Sequence, residues 1–322
     1  MRIRLKPGNV LNPPLSAVSD LIRVLLRFLI RVPFKVSLVN ISRISVNIDS
    51  FCYPDGTAAL SDIHLDIAAG EFCGLLGANG SGKTTLLKIM DGLIRDYQGL
   101  MLLDNSDILK LHPRDIYRKM GLVFQNPDDQ LFASSVFEDV AFGPRNMGFD
   151  EAMVAEKVAV ALEQVEMGAL SGKNIHHLSY GQKKRVCIAG LLAMGHGILL
   201  LDEPTAGLDP MGEQRMMELL TKLNRESNVT IVMATHSVDL VPLFLDRLHI
   251  LSKGKVVRGG SPEEVFTAPA EMAEVKLRLP HIAELIHQLK HGEKMPFRKI
   301  PLTIGEARRE IIEMMERSGE KL

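Results

Sequence analysis

The stretch GANGSGKTT, residues 77–85, constrains the fold of this chain more than any other feature. It follows the apolar run EFCGLL, precedes the helical run LLKIMDGL, and contains the pattern G-x-x-x-x-G-K-[ST]. Glycines let successive backbone N–H groups converge on phosphate oxygens, and the positive end of the following helix adds to the attraction. In such a loop Lys83 reaches the β and γ phosphates, and the Thr84 hydroxyl binds Mg²⁺. The stretch therefore predicts a nucleotide site, lined by Gly77, Asn79, Gly80, Ser81, Gly82, Lys83, Thr84 and Thr85.

Two adjacent carboxylates, Asp202 and Glu203, follow the apolar run GILLL. Burying both at the end of a strand is expensive unless a cation or a shared proton compensates. The pair therefore predicts a metal site, in which Asp202 holds Mg²⁺ and Glu203 polarises the water that attacks the γ-phosphate. The alternative is an acidic pair that caps a helix. With the phosphate loop upstream, hydrolysis of a nucleoside triphosphate is the preferred interpretation.

Apolar runs alternate with helical patterns between about Arg43 and Phe266. ISVNIDSF alternates apolar and polar residues, which is typical of a half-buried strand. EFCGLL, GILLLD and TIVMAT suit the buried strands of a largely parallel sheet. A chain of 322 residues can bury an ample core, and we predict an α/β fold.

Beyond Phe266 a proline-punctuated tail predicts two helices. One follows Pro280, and the other is opened by the capping-box pattern TIGE at residues 303–306. The second helix carries an apolar stripe that needs a partner, made of Ile304, Ala307, Ile311 and Met315.

Positive charge is concentrated at the N-terminus. Residues 1–45 hold eight Arg/Lys and one Asp, in a chain whose net charge is −1. This polarity disfavours a nucleic-acid partner for the main body. Residues 21–39 combine an apolar helical pattern with a cation every four residues, which suits an anionic lipid interface better than a membrane span. Docking on protein and a start codon placed too far upstream are the alternatives.

The cysteines bear on the compartment. Cys52, Cys73 and Cys187 lack the spacing of a disulfide framework or a metal site. We therefore expect reduced thiols in the core of a cytoplasmic protein.

LSYGQKKR, residues 178–185, resembles the signature motif of ATP-binding cassette ATPases, and the other motifs of that family stand in order across residues 43–266. The resemblance implies a P-loop NTPase fold with a RecA-like core, an antiparallel β subdomain and a helical subdomain carrying the signature. It implies that Tyr53 stacks on the adenine of ATP, that Gln125 reaches Mg²⁺ and the attacking water, and that His236 steadies the γ-phosphate or the transition state. Asp209 in AGLD belongs to the same set. Each of these residues taken singly also fits a structural role, and their joint order favours the functional one.

In this family the signature contacts the γ-phosphate bound to the opposite subunit. The matching residues here are Ser179, Gly181 and Gln182, which we expect to bind nucleotide. Tyr180 stands where the commonest signature has glycine, and we expect its bulky side chain to point outward. One phosphate loop and one signature imply two cassettes arranged head to tail around two ATP molecules. The second cassette would be a copy of this chain or a sister subunit.

Residues 126–148 are similar to the matching segment of the ATPases in energy-coupling-factor importers, including the cobalt and nickel systems. In that family this segment receives a transmembrane coupling protein, whose cations could pair with Asp128 and Asp129. An acidic, solvated loop is the alternative. The tail, residues 267–322, is similar to the helices that help to join two ATPases, whereas residues 1–42 form a basic extension.

The resemblance thus implies a peripheral subunit on the cytoplasmic face of the cell membrane, which works with a coupling protein and a substrate-binding membrane subunit to import cobalt or nickel. Import of a vitamin by the same class of transporter is one alternative. A soluble cassette ATPase is another, although such proteins usually carry two cassettes or a long coiled-coil insertion. A small-molecule kinase would leave LSYGQ unexplained.

Overall fold

The strands of this chain form two sheets whose spatial order differs from their order in the sequence. The structure is a computed structural model that describes residues 42–266, 269–275 and 277–318. The strands are β1 (Ser42–Cys52), β2 (Ala58–Ala68), β3 (Phe72–Leu76), β4 (Gln98–Leu103), β5 (Ser106–Asp107), β6 (Met120–Val123), β7 (Ile198–Asp202), β8 (Thr230–Thr235), β9 (Arg247–Ser252) and β10 (Lys255–Gly260). The helices described are α1 (Lys83–Met90), α2 (Pro113–Tyr117), α3 (Val136–Asn146), α4 (Glu151–Gln164), α5 (Tyr180–Ala193), α6 (Pro210–Ser227), α7 (Val241–Phe244), α8 (Pro262–Val265), α9 (Pro269–Glu274), α10 (His281–His291) and α11 (Ile304–Ser318).

The larger sheet has the order β10-β9-β3-β8-β7-β6, and its strands are parallel except for β10, which lies antiparallel to β9. β3, β7 and β8 are buried along their whole length, which explains their apolar sequences. Alternate residues face opposite sides of the sheet. Leu199 and Leu201 pack into one hydrophobic core, whereas Ile198 and Leu200 pack into the other. The predicted, mostly parallel core is confirmed.

The register of this sheet brings three strand ends together. Leu76 pairs with Thr235, and Asp202 pairs with Ala234, so β3, β7 and β8 end at the same edge. The phosphate loop follows β3, Glu203 follows β7 and His236 follows β8. The sheet thereby gathers residues that are far apart in the sequence.

The smaller sheet is antiparallel, with the order β2-β1-β4-β5. β1 alternates as its sequence predicts, and its inward residues Ile44, Val46 and Ile48 are fully buried. Cys52, at the end of β1, is exposed, whereas Cys73 and Cys187 are buried. The expectation that all three thiols lie in the core is therefore wrong for Cys52, which follows an irregularity in the pairing of β1 with β2.

Three helices, α3, α4 and α5, pack on one another and complete the larger core. Each begins at a residue whose side chain accepts a hydrogen bond from the helix backbone, namely Ser135, Asp150 and Ser179. These caps fix where each helix starts. The predicted helical subdomain carrying the signature is present.

The predicted tail helices are α10 and α11. Ile286, Phe297 and Met314 form a small core between them, while Met272 and Leu279 join the larger core. The Thr303 hydroxyl accepts from the Glu306 N–H as expected, at 3.2 Å.

Two details of the tail differ from the prediction. The Glu306 carboxylate accepts from the N–H of Leu302 rather than from that of Thr303. The apolar stripe is also rotated, because Ile304 is 74% exposed and Met314 rather than Met315 is buried. The packing against α10 selects the residues that face inward.

Within the residues that the structure describes, no helix is both long and apolar enough to cross a membrane. The basic segment 21–39 lies outside those residues, so its predicted lipid contact stays a prediction.

Candidate active site

The phosphate loop turns sharply between β3 and α1, and its glycines are required by space and conformation. Gly80 and Gly82 have φ angles of 77° and 108°, which favour glycine. A Cβ on Gly82 would lie 2.7 Å from Cδ2 of Leu60, and one on Gly77 would lie 2.4 Å from the carbonyl oxygen of Leu251. No side chain caps the N-terminus of α1. Its first N–H groups are therefore available to an anion.

Lys83 is buried beneath this loop. Its ammonium donates to the carbonyl oxygens of Gly77 at 2.7 Å and Ala78 at 3.2 Å, and lies 3.8 Å from Oε1 of Glu203. Burial lowers the pKa of Lys83, against the opposing charges of Glu203 and Asp202. An ammonium has three N–H donors, so one remains for a phosphate oxygen.

Thr84 and Asp202 form the next contact. The Thr84 hydroxyl donates to Oδ2 of Asp202 at 2.7 Å. Oδ1 of Asp202 is buried without a hydrogen-bond partner, and burial raises the pKa of this carboxyl. A buried oxygen that lacks a donor is costly, and a divalent cation would compensate it. The donor set, a hydroxyl and a carboxylate, fits Mg²⁺.

Glu203 is held by its backbone and by its side chain. Its φ is 50°, an uncommon value for a residue with a side chain. Its N–H donates to the carbonyl oxygen of Ala234 at 3.0 Å, and its own carbonyl oxygen accepts from the Lys184 ammonium at 2.7 Å. Nδ1 of His236 lies 2.9 Å from each carboxylate oxygen. His236 therefore holds the carboxylate, while β8 and Lys184 hold the backbone that carries it.

Tyr53 and Gln125 complete the site. The Tyr53 hydroxyl is hydrogen-bonded to that of Thr85 at 2.8 Å, and the Tyr53 ring packs edge-on against Phe51, with centroids 5.0 Å apart. Gln125 follows β6 and is exposed. The aromatic ring is thus tied to the phosphate loop.

These residues line one cavity of about 500 Å³, a size common for cofactor sites. The predicted residues that line it are Tyr53, Asn79, Gly80, Ser81, Gly82, Lys83, Thr84, Thr85, Gln125, Asp202 and Glu203. Gly77 contributes through its carbonyl bond to Lys83, and His236 contributes through its bond to Glu203.

The signature residues line a second cavity of about 560 Å³ instead. Ser179 and Gln182 bond each other's backbone N–H groups in a capping box that opens α5. Asp209 caps α6 by accepting from the Gly212 N–H at 2.9 Å, without a reciprocal side-chain bond. A single chain therefore presents its phosphate loop and its signature as two distinct surfaces.

Tyr180 does not simply point outward. Its hydroxyl donates to the carbonyl oxygen of Gln125 at 3.2 Å, and the Lys184 ammonium lies 5.2 Å from its ring centroid. A Cβ on Gly207 would lie 3.0 Å from Cε1 of this ring. The half-buried ring lies between the loop of Gln125 and the loop of Gly207. The expectation that this side chain points outward is therefore wrong.

Asp128 already has a partner within this chain, because Lys183 donates to its Oδ1 at 2.6 Å. Asp129 accepts from the side-chain amide of Asn126 at 3.1 Å. The two carboxylates were expected to be available to cations of a partner protein. Any such partner would compete with these local bonds.

Sequence reasoning missed several residues of the site. Lys184 lies in the signature stretch, but nothing in the sequence tells which of the consecutive cations 183–185 turns inward. Lys253 and Gly254 line the cavity from the turn between β9 and β10, and the Gly254 N–H donates to the Ser81 carbonyl oxygen at 3.0 Å. Such contacts join residues far apart in the same chain, so they leave no local pattern in the sequence.

Comparison with known sequences gives consistent matches. The family model described as ABC transporter matches residues 60–206. A Geobacter sulfurreducens protein described as an ABC transporter ATP-binding protein is 74% identical over 274 residues, which cover 85% of this chain and 98% of that protein. The energy-coupling factor transporter ATP-binding protein EcfA of Methanocaldococcus jannaschii is 45% identical over 268 residues, which cover 83% of this chain and 95% of that protein.

Solved structures agree. One is that of cbiO1 from Clostridium perfringens, described as part of the ABC transporter complex cbiONQ. It is 42% identical with a TM-score of 0.67, covering 76% of this chain and 99% of its own. A dimeric ATP-binding cassette in a post-hydrolysis state, bound to ADP and Pi, is 28% identical with a TM-score of 0.61, covering 68% of this chain and 98% of its own.

Proposed function

Because this chain belongs to the family of ABC transporter ATP-binding proteins, and is an ATPase of that family, we propose that it drives an energy-coupling-factor importer of cobalt or nickel ions. The similarity to EcfA over nearly its whole length supports the class of importer. The proposal of cobalt or nickel as the transported ion rests on sequence resemblance alone. Residues 126–148, and the aromatic at Tyr180, resemble the ATPases of cobalt and nickel systems. A vitamin as cargo, or a soluble role without a membrane partner, would be the alternatives.

The phosphate loop supplies the groups that bind the phosphates of ATP. The uncapped start of α1 and the ammonium of Lys83 supply converging N–H donors for the β and γ phosphates of ATP. Tyr53, at the rim of the same cavity, offers its ring to the adenine. These two contacts orient the triphosphate along the cavity.

Thr84 and Asp202 are the residues that would hold Mg²⁺, because the buried Oδ1 of Asp202 lacks a donor and the Thr84 hydroxyl lies beside it. Gln125 lines the cavity and adds an amide oxygen. When bound, the ion would offset negative charge on the phosphate oxygens.

The position of Glu203 is the observation that carries the hydrolytic role. Its carboxylate lines the cavity, lies 3.8 Å from the Lys83 ammonium, and is held by His236. A carboxylate so placed accepts a proton from, or orients, the water that attacks the γ-phosphate. His236 fixes the direction of the carboxylate.

Completion of the site requires a second cassette. The signature and the phosphate loop line two different cavities. The signature residues of the second cavity are Ser179, Gly181 and Gln182. We propose that they meet the γ-phosphate bound to an opposing cassette, either a copy of this chain or a sister subunit. Two nucleotides would then lie between the two chains.

The segment 126–148 would meet the membrane proteins. Phe132 and Phe142 in this segment are 65% and 50% exposed, and their rings pack edge to face with centroids 4.8 Å apart. An exposed aromatic pair in the same segment as Asp128 and Asp129 offers apolar contacts, to which the two aspartates add acidic ones, for a coupling protein. Through these contacts the subunit would lie peripherally on the cytoplasmic face of the membrane.

Co-purification tests this proposal. The tagged chain is extracted from membranes in mild detergent, and we expect a polytopic membrane protein to accompany it. The double variant Asp128→Lys, Asp129→Lys should release that partner while ATP hydrolysis persists. The matched control Glu218→Lys, Glu226→Lys reverses two exposed charges on α6 and should retain the partner.

A chain that always purifies alone from the soluble fraction would contradict the importer. Uptake of radiolabelled cobalt and nickel, compared with labelled vitamins, in cells with and without the gene then decides the cargo.

A further inference from the structure

Lys184 is a buried lysine that contacts the site, and the mechanism proposed above gives it no role. It lies in the first two turns of α5, within the signature stretch, and is 1% exposed. Burial lowers its pKa to about 8, which reflects the cost of keeping an ammonium in this place. Lysine is seldom fully buried unless it is paired.

The hydrogen bond of Lys184 goes to a backbone atom of the residue that we assign as the base. Its ammonium donates to the carbonyl oxygen of Glu203 at 2.7 Å, and the same oxygen also accepts from the Ala206 N–H at 3.1 Å. On the other side of the same residue, the Glu203 N–H donates to the carbonyl oxygen of Ala234 in β8. Both peptide groups that flank the Glu203 side chain are therefore anchored.

This anchoring matters because the Glu203 backbone is in the left-handed region, with φ at 50°. A non-glycine residue keeps this conformation only when its surroundings enforce it. Without the Lys184 ammonium, the Glu203 carbonyl would keep only the longer bond from the neighbouring Ala206 N–H. The backbone could then relax, and rotation about φ and ψ would swing the carboxylate away from the cavity. A displacement of about 1 Å at a reacting group can cost about a hundredfold in rate.

We infer that Lys184 is a positioning residue, which holds the Glu203 carboxylate in its reactive place by bonding the Glu203 carbonyl from the signature helix. The inference rests on the catalytic role proposed for Glu203. The Tyr180 ring lies on the Lys184 ammonium, and the Tyr180 hydroxyl bonds the Gln125 carbonyl. The first turns of α5 thus contact Glu203, which follows β7, and Gln125, which follows β6.

Lys184→Met tests the inference, because methionine keeps most of the side-chain volume and loses the donor. With the full-length purified chain we expect kcat to fall about 10- to 100-fold, as loss of about 1.4 to 2.7 kcal/mol of transition-state stabilisation would give. Affinity for ATP, measured by titration without turnover, should stay within about twofold, because Lys184 does not line the nucleotide cavity. Lys157→Met is the matched control, since the Lys157 ammonium also lies on an aromatic ring, 4.7 Å from the centroid of Phe149, but lines a cavity separate from the nucleotide site.

Lys184→Gln provides a neutral donor that is one bond shorter, and we expect an intermediate kcat. This variant also serves if Lys184→Met does not fold. A glutamine variant that is folded and no faster than the methionine variant would contradict a role as donor.

A double-mutant comparison separates positioning from general stability. In the background of Glu203→Gln, which removes the base, Lys184→Met should cause no further loss of rate. A full additional loss would overturn the inference, because Lys184 would then act elsewhere. Wild-type kcat in Lys184→Met, beside an inactive Glu203→Gln, would also overturn it and leave the proposed function standing. Wild-type kcat in Glu203→Gln itself would overturn the catalytic assignment.

Discussion

Nδ1 of His236 lies 2.9 Å from both carboxylate oxygens of Glu203. A carboxylate only accepts hydrogen bonds, so Nδ1 is the donor and the imidazole is fixed in one orientation. The Glu203 side chain is 7% exposed, whereas that of His236 is 56% exposed. The histidine therefore connects the buried carboxylate of Glu203 to the exposed surface.

Replacement of Glu203 should separate binding from hydrolysis. Glu203→Gln keeps the size of the side chain and removes the charge that we propose to act on the attacking water. We expect hydrolysis to fall about 10²- to 10⁴-fold while ATP still binds. If ATP joins two cassettes as proposed, this variant should accumulate as an ATP-dependent dimer. Phosphate release and size-exclusion chromatography measure both effects, with Glu218→Gln as the control. An inactive variant that never dimerises with ATP would indicate a sister subunit as the partner.

Lys83 should carry much of the affinity for ATP. Lys83→Ala removes a buried ammonium from the phosphate loop, a loss of about 2 to 5 kcal/mol, so Kd for ATP should rise at least about 30-fold. Lys88→Ala, in the last turn of the same helix, should change Kd little. Circular dichroism checks the fold. Unchanged affinity in a folded Lys83→Ala would refute the assignment of the phosphate loop.

Asp202 and Thr84 should govern the response to Mg²⁺. Asp202→Asn replaces the buried, unpartnered oxygen with a neutral amide, so the Mg²⁺ concentration for half-maximal activity should rise about tenfold or more. Thr84→Ser keeps the hydroxyl and should respond normally, whereas Thr84→Val should resemble Asp202→Asn. Titration of activity and of ATP affinity with Mg²⁺ measures this. An Asp202→Asn variant with a normal Mg²⁺ response would show that other residues hold the ion.

Asp91, at the end of α1, should make the protein less stable as pH rises. Burial raises the pKa of Asp91 from 3.8 to about 7, and one of its oxygens has no hydrogen-bond partner. Between these two values the unfolded state releases a proton that the folded state keeps. The contribution of Asp91 to the free energy of unfolding therefore falls from about pH 4 to about pH 7 and is constant above. Asp91→Asn should remove this slope and raise Tm at pH 8 by a few degrees. Thermal melts at several pH values measure it, and an unchanged slope would show that Asp91 is ionised in the folded state.

Asp239 should have the opposite effect, at lower pH. Burial alone would raise its pKa, but hydrogen bonds from the Arg278 guanidinium and the His281 N–H lower it more. Its contribution to stability is therefore complete above about pH 4 and is lost as pH falls through the lowered pKa. Asp239→Asn should weaken the attachment of α10 near the His236 loop and reduce the acid dependence of Tm. Thermal melts of the wild type and of Asp239→Asn measure this effect. If Tm falls by the same amount in the two proteins between pH 5 and pH 3, the bonds of Asp239 are not a source of stability.

The sequence predicts those features that have a local cause. The glycines of the phosphate loop, the apolar strands and the cap at Thr303 follow from steric, burial and hydrogen-bond rules that act within a few residues. The contact of Tyr180 with Gln125 joins residues that are 55 positions apart, and the bond of Lys184 to Glu203 spans 19. Such contacts depend on how α5 packs against the sheet. For the same reason the exposure of Ile304 could not be read from its place on an apolar stripe.

The separation of the phosphate loop from the signature, in two cavities of one chain, has a genetic consequence. If two identical chains pair head to tail, each composite site takes its loop from one chain and its signature from the other. A chain damaged at Lys83 and a chain damaged at Ser179 would then pool both lesions in one site and leave the other site whole. Two null alleles could complement each other in one cell, whereas two alleles damaged at Lys83 could not.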